Sequence, residues 1–530
     1  MPTPTKLLFI GFDAGDKDLI LQWADAGLLP TFRSLLAKGL RGDTMSVPGF
    51  FIGATWPSFM TGVTPARHGI HSWRQLKQGT YEFFDCRAGD HIKQEPFWNH
   101  LSRAGRRVCI LDVPLSGRSE NLNGIQLVEW GSHDAEYGFM TWPLSLAREV
   151  EARFGQHPAR GSCNLDRGPR EFVAFRNDLL RGIATKARLT SYFLNQGGWD
   201  FFAQVFTESH CVGHQCWHLH DPEHPRHDQE VVRIVGDPVK DVYVAIDSAI
   251  GQILNEVRCD TTVIVLISHG MGYKYGPQFL LDQILLRLRV AAPPTRGKKN
   301  DAERGLRNRI EPILAWGWKQ MPQAARQLLQ PARDRLRHWI DESSTQPPPS
   351  IDPAAGKCFL VENNYGHGGI RVNLVGREPN GKVQSGEEFD AFCAELIHDL
   401  MSIVDLETGK PVVSRVIRTA EFYRGEYLDH LPDLLVEWSS DAPISAIRLG
   451  SDKIGEIHGE YRFCRTGDHR PGGMFIALGP SIRPGYLGRT VSIMDFAPTI
   501  ASLLEVPLPD LDGKPIAELL PGRNVTKMHL

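Results

Sequence analysis

The sequence predicts an α/β fold: a mostly parallel central sheet with helices on both faces, a helical insertion or cap, and a β-rich C-terminal part. Three observations predict it. Short unbroken apolar runs recur along the chain, the pattern of strands buried on both faces. Helical stretches separate them, so strand and helix alternate. From Gly356 onward the helical stretches thin out and the chain turns β-rich.

The first run is Leu7 to Phe12, six apolar or Gly residues cut off by Asp13-Ala14-Gly15-Asp16. Asp13 then lies just past the carboxyl end of a strand, where open α/β sheets bind ligands. A carboxylate there serves either as a metal ligand or as the N-cap of the next helix. Asp16 to Gly39 reads as helix in two pieces. Leu19, Ile20 and Trp23 give the first an inner face; Pro30 opens the second, and Gly39 ends it. Residues 43–54 read as a loop, after which Thr55 suits an N-cap and Pro57 a first helical turn. Residues 107–113, 200–206 and 261–267 read as further buried strands, with helices over 170–196 and 242–257. Residues 369–374 and 432–438 belong to the β-rich part. The Arg-, Lys-, Gln- and Pro-rich stretch 282–350 breaks the alternation. The expected organisation is therefore a catalytic domain of residues 1–281 and 351–530, interrupted by a helical insertion or cap at 282–350.

Composition narrows the class. With 530 residues, 42% of them hydrophobic, the chain can build one large core with insertions. A net charge of -3 makes no electrostatic case for a nucleic-acid polymer or an anionic membrane as partner. Nine cysteines, odd in number and without a CxxC pair, point to free thiols in a reducing compartment. No run reaches the roughly 18 apolar residues that span a bilayer. The expectation is a cytoplasmic protein that acts on a small molecule, with homo-oligomerisation left open.

Four separate segments supply candidate metal ligands: Asp13; His210 with His214; His269; and His469. Imidazole with carboxylate suits Zn²⁺ or Mn²⁺, as one ion or two. His210 and His214 are one helical turn apart and share a face. The bland reading of such a pair is surface or core histidine, and His218, His220, His224 and His227 enrich the same region. Placement strengthens the sharper one, because each candidate lies at a strand end or in a Gly-containing turn. Thr55 has two readings, an N-cap or a hydroxyl nucleophile at a helix N-terminus that favours phosphate. Ser58 is the rival hydroxyl.

These segments resemble the alkaline phosphatase superfamily, in particular its type I phosphodiesterase/nucleotide pyrophosphatase branch. The opening GFDAGD is similar to the first metal-binding Asp turn. Thr55-Trp56-Pro57-Ser58, then Thr61-Gly62 and Pro65 through Ile70, resembles the nucleophile loop and the T-G-x-x-P-x-x-H-G-I stretch after it. Ser268-His269-Gly270-Met271 resembles the D-H-G-M turn, and Asp468-His469-Arg470-Pro471 the late His loop. Asp495-Phe496-Ala497-Pro498-Thr499 with Asp512-Gly513 is similar to the closing D-x-A-P-T and D-G signature. The resemblance implies a phosphoesterase acting on a phosphodiester or nucleotide-like pyrophosphate through a covalent phospho-threonine. One ion, with Asp13 and His269, would activate Thr55; a second would be held by His210, His214 and His469.

The chain departs from that pattern in three places. His210 and Ser268 stand where the family usually has Asp. Glu208 lies close enough in sequence to compensate, as a ligand or an outer-shell partner, and Ser268 has the same two options. The spacing from Thr55 to Thr61-Gly62 is short, and in an alternative register Ile52 occupies the nucleophile slot. A sulfatase or phosphonate-ester hydrolase on the same fold, and a catalytically silent ligand-binding member, are the competing readings.

Overall fold

The computed structural model describes residues 5–131, 137–159, 165–294, 351–364 and 367–522. Leu7–Phe12 forms a strand in which all six residues are buried. Leu8, Ile10 and Phe12 enter one apolar core, whereas Leu7 and Phe9 enter another on the opposite face. That alternation follows from the two-residue period of a strand. It is why the run carries no polar position. Each such side chain contributes roughly 1.5–3 kcal/mol on burial.

Among the described residues the largest sheet has nine strands. In spatial order they are Gly485–Ser492, Leu40–Met45, Gly472–Leu478, Thr262–Ile267, Leu7–Phe12, Phe201–Phe206, Val108–Leu111, Gly124–Val128 and Met140–Trp142. The five strands from Thr262–Ile267 to Gly124–Val128 run parallel. Gly472–Leu478 and Met140–Trp142 are antiparallel to their neighbours. Helices Pro169–Leu194 and Pro238–Leu254 cover one face; Thr55–Thr61, Phe97–Arg103 and Phe496–Leu503 cover the other. The β-rich part is a separate antiparallel sheet of Cys358–Val361, Gly368–Val372, Leu434–Trp438 and Val413–Arg418, with its own apolar core.

Three local expectations are corrected. The predicted loop at 43–54 begins inside a strand, Leu40–Met45, whose polar residues Arg41 and Asp43 hid the pattern. Thr55 is the first residue of its helix rather than the N-cap, which is Ala54. Asp13 caps nothing: the following helix is capped by Asp16, which accepts from Asp18 N and Leu19 N. The expected insertion at 282–350 lies outside the described residues from 295 on. Its opening stretch belongs to the helix Leu281–Arg287, whose Leu281, Ile284 and Leu285 join the core of the β-rich part. No helix of the described residues is long and apolar enough to cross a membrane.

Candidate metal centre

Register builds the site. Phe12 pairs with Phe206 on one side and Ile267 on the other. Three parallel strands therefore end level, and Asp13, Thr207-Glu208 and Ser268-His269 emerge side by side although up to 255 residues separate them in sequence. The helix Glu208–His220 starts there and carries His210 and His214. Their rings lie 4.4 Å apart, centroid to centroid. His469 comes from the strand Gly467–Arg470, which pairs with Gly270–Tyr273 and sets Met271 opposite His469. The helix and that strand meet at backbone contact: a Cβ on Gly467 would lie 2.1 Å from Gly213 O.

His210, His214 and His469 are buried and offer one ligand nitrogen each, all within 4.8 Å of one another. His214 Nδ1 donates to Gly467 O at 2.8 Å, which leaves Nε2 facing His469 Nε2 at 3.0 Å. A carbonyl that holds the outer nitrogen fixes the tautomer and aims the inner one, as histidine ligands of metals are usually held. His269 joins through Nε2, 2.8 Å from His469 Nδ1. Asp468 lies behind His469 and pairs with the buried Lys274. Burial pushes the Asp468 carboxyl up, but Lys274 and then His214 outweigh it and hold it below the usual range. Its Oδ1 accepts the His469 N–H.

Asp13 is buried beside this cluster. Its Oδ1 accepts from the Trp56 indole at 2.8 Å and is one of two acceptors within reach of the Ser268 hydroxyl, at 3.4 Å. Burial raises its carboxyl to about 6 against the lowering effect of these two bonds. Ser268 Oγ also lies 2.9 Å from His269 Nδ1.

The two hydroxyls proposed as nucleophiles are both buried and hydrogen-bonded within the protein. Thr55 is fully buried and donates back to Phe51 O, four residues earlier, while sharing a hydrogen bond with Ser46. This is the back-bonded placement of a helical threonine. From Gly49 to Val63, Ile52 is the one residue that is not fully buried. Ser58 is 2.9 Å from His68 Nε2, and His68 Nδ1 accepts the Ile70 N–H. His68 thus carries its proton on Nε2 and donates to Ser58, so it is no base for that hydroxyl.

Glu208 faces away from the histidines. One of its oxygens lies 3.2 Å from Lys186 Nζ and 2.9 Å from His157 Nε2. Lys186 is fully buried and also lies 3.5 Å from Asp112 Oδ2. Burial pushes the Glu208 carboxyl up, but Lys186 and His157 reverse this and hold it at about 2. The compensating-ligand role expected of Glu208 is corrected: its charge is spent on Lys186. Sequence reasoning missed Lys186, Asp112, His157 and Trp56. Trp56 lay inside the quoted loop motif, and Lys186 was visible only as a cation among the apolar positions Ile183 and Ala187.

Residues 7–288 match the family described as type I phosphodiesterase / nucleotide pyrophosphatase, just over half of the chain. The chain belongs to that family. It is accordingly placed with the phosphoesterases of the alkaline phosphatase superfamily. No curated protein sequence matches it. Among solved structures it is similar to phosphonoacetate hydrolase from Sinorhizobium meliloti in complex with phosphonoacetate. The identity is 13%, coverage is 95% of this chain and 96% of that one, and the TM-score is 0.50. It is also similar to murine ectonucleotide pyrophosphatase/phosphodiesterase 5 in complex with AMP, at 12% identity, 96% and 97% coverage and a TM-score of 0.46. A third is alkaline phosphatase PafA, at 13% identity, 98% and 99% coverage and a TM-score of 0.45. At such identities the likeness concerns the fold. The family match spans Asp13, Thr55, His210, His214 and His269; His469 lies beyond it.

Proposed function

We propose that this protein is a divalent-metal-dependent phosphoesterase that hydrolyses a small phosphodiester or nucleotide-like pyrophosphate, with His210, His214 and His469 as its ligand set. The observation that carries this reading is the three-imidazole cluster at the level ends of the central strands. The donor set fits the group. The imidazoles come from two elements locked together by the Gly213–Gly467 contact, and neutral nitrogen donors suit Zn²⁺, with Mn²⁺ as the alternative. Bound there, such an ion supplies positive charge to a phosphoryl oxygen. The chain's own groups hold the geometry: Gly467 O fixes His214, Asp468 fixes the backbone of His469, and Trp56 and Ser268 fix Asp13.

Thr55 does not enter this reading as nucleophile. Its hydroxyl is engaged with Phe51 O and Ser46, and the loop residue that keeps solvent access, Ile52, has no hydroxyl. We therefore assign attack by water, without a phospho-threonine. The test is turnover of an aryl phosphodiester, beside the matching monoester and sulfate ester, after chelation and after adding back Zn²⁺ or Mn²⁺. Diester turnover that needs metal and is lost in His214→Ala is expected. Turnover that survives both would overturn the metal assignment. No turnover of any ester with any metal would overturn hydrolysis in favour of ligand binding. A phosphate adduct on Thr55 in the intact mass of the working enzyme would restore the covalent route.

A further inference from the structure

Resting on that metal reading, we infer that this protein holds a single metal ion per chain. Where the family resemblance implies a second ion, the structure assigns a hydrogen-bonded support, Asp13–Ser268–His269–His469. In this arrangement His269 is a positioning residue for His469 and not a ligand.

Two sets of observations lead there. First, the groups a second ion would need are engaged. His269 directs Nδ1 at Ser268 Oγ and Nε2 at His469 Nδ1, at 2.9 and 2.8 Å. Asp13 Oδ1 accepts from the Trp56 indole, and the Thr55 hydroxyl is engaged by Phe51 O and Ser46. Ser268, a weak neutral donor, stands at the turn after the Thr262–Ile267 strand, where a carboxylate would be the harder ligand.

Second, the protons along the chain are consistent in both states. Gly467 O can only accept, so His214 carries its proton on Nδ1 and presents a lone pair at Nε2. Without an ion, His469 donates from Nε2 to His214 and accepts at Nδ1 from His269 Nε2–H. His269 then accepts at Nδ1 from the Ser268 hydroxyl. Every group stays neutral. For His214 and His469 to serve one ion together, His469 must move its proton to Nδ1. It then donates to His269 Nε2, and His269 donates from Nδ1 to Ser268. The Ser268 hydroxyl turns to Asp13 Oδ1, 3.4 Å away. His469 and His269 each exchange one tautomer for the other, His214 keeps its own, and no proton leaves the chain. The loaded state thus ends on a carboxylate, the outer-shell support that orients metal-bound imidazoles. In it the Nε2 lone pair of His269 is occupied by the proton of His469, which leaves nothing there for a second ion.

The test is zinc titration of the chelator-stripped full chain by calorimetry, with zinc content measured on the same samples. Wild type is expected to bind one zinc, and His269→Gln also one, with affinity lower by about 10–100-fold, as for loss of an outer-shell partner. Ser268→Asp, which supplies a carboxylate, is expected to raise the stoichiometry to two. Nitrogen-15 spectra of the histidines are expected to show two rings changing tautomer on zinc addition, a readout a merely structural His269 would not give. Two zinc ions in wild type falling to one in His269→Gln would overturn this inference while leaving the metal-dependent phosphoesterase standing. No zinc binding by wild type would overturn both.

Discussion

Two buried polar clusters stand at the carboxyl ends of neighbouring strands, and they are built on opposite principles. Asp112, Lys186, Glu208 and His157 form one. It is charge-paired: a cation lies between two carboxylates, and an imidazole closes on one of them. His210, His214, His269 and His469 form the other. It is a run of imidazoles facing one another, with lone pairs that two of the rings can redirect by exchanging tautomers. Glu208 and His210 are only two residues apart on one helix, a spacing that points side chains to different sides. The same helix therefore serves both clusters. A buried cluster that closes its own charges works as scaffold; one that ends in convergent neutral donors is a place for a ligand.

The largest effect should come from breaking the charge-paired cluster. Lys186→Met leaves two buried carboxylates without their cation and should cost about 3–5 kcal/mol, read as a lowered urea midpoint. Adding Glu208→Gln should recover part of that loss. A cost below about 1 kcal/mol, typical of a surface pair, would dissolve the contrast between the clusters. Next, His214→Ala should weaken zinc binding by more than the ~10–100-fold typical of losing an outer-shell partner. Metal-free stability should fall far less than in Lys186→Met.

Acid should separate a third group. Burial holds His68, His71 and His367 neutral, each at about 3, with His71 adding to the effect at His68 and Arg371 at His71. Their folded values lie below the unfolded one, so the unfolded chain takes up protons first. Stability from these residues is fully present above pH 6.5 and is lost as pH falls from 6.5 toward 3. Urea midpoints at pH 7, 5.5 and 4.5 should decline, and His68→Gln should flatten the slope. An unchanged slope in that variant would contradict the burial argument. The smallest effect is expected of Thr55→Val. Loss of its hydrogen bonds to Phe51 O and Ser46 should cost about 1–2 kcal/mol, with diester turnover changed by less than about tenfold. Complete loss of turnover in that variant would return Thr55 to the role of nucleophile.

The parts legible in the sequence share a cause. Leu7 to Phe12, 201–206 and 261–267 read as strands because burial on both faces makes the runs almost wholly apolar, with Gln204, Thr261 and Thr262 as the polar exceptions. Asp13, His269 and His210 were found because each follows such a run. His469 was legible from its Asp-His-Arg-Pro turn. The unread parts depend on pairing in three dimensions. Leu40–Met45 is a strand because both neighbours supply backbone partners, and Arg41 and Asp43 gave no apolar alternation to detect. The burial of Thr55 follows from a helix that begins one residue earlier than a capping role requires. The Lys186 cluster draws its members from four segments with no spacing between them to recognise. Glu208 looked like a spare ligand because nothing local shows that Lys186 claims it.

The most direct measurement is zinc-edge X-ray absorption on the full chain loaded with zinc. The account predicts a first shell containing three imidazoles, with Zn–N near 2.0–2.1 Å, and no metal–metal vector. Fewer than three imidazoles would contradict the His210, His214 and His469 ligand set. A second zinc at about 3.5–4 Å, the spacing of two-metal sites, would contradict the single-ion centre.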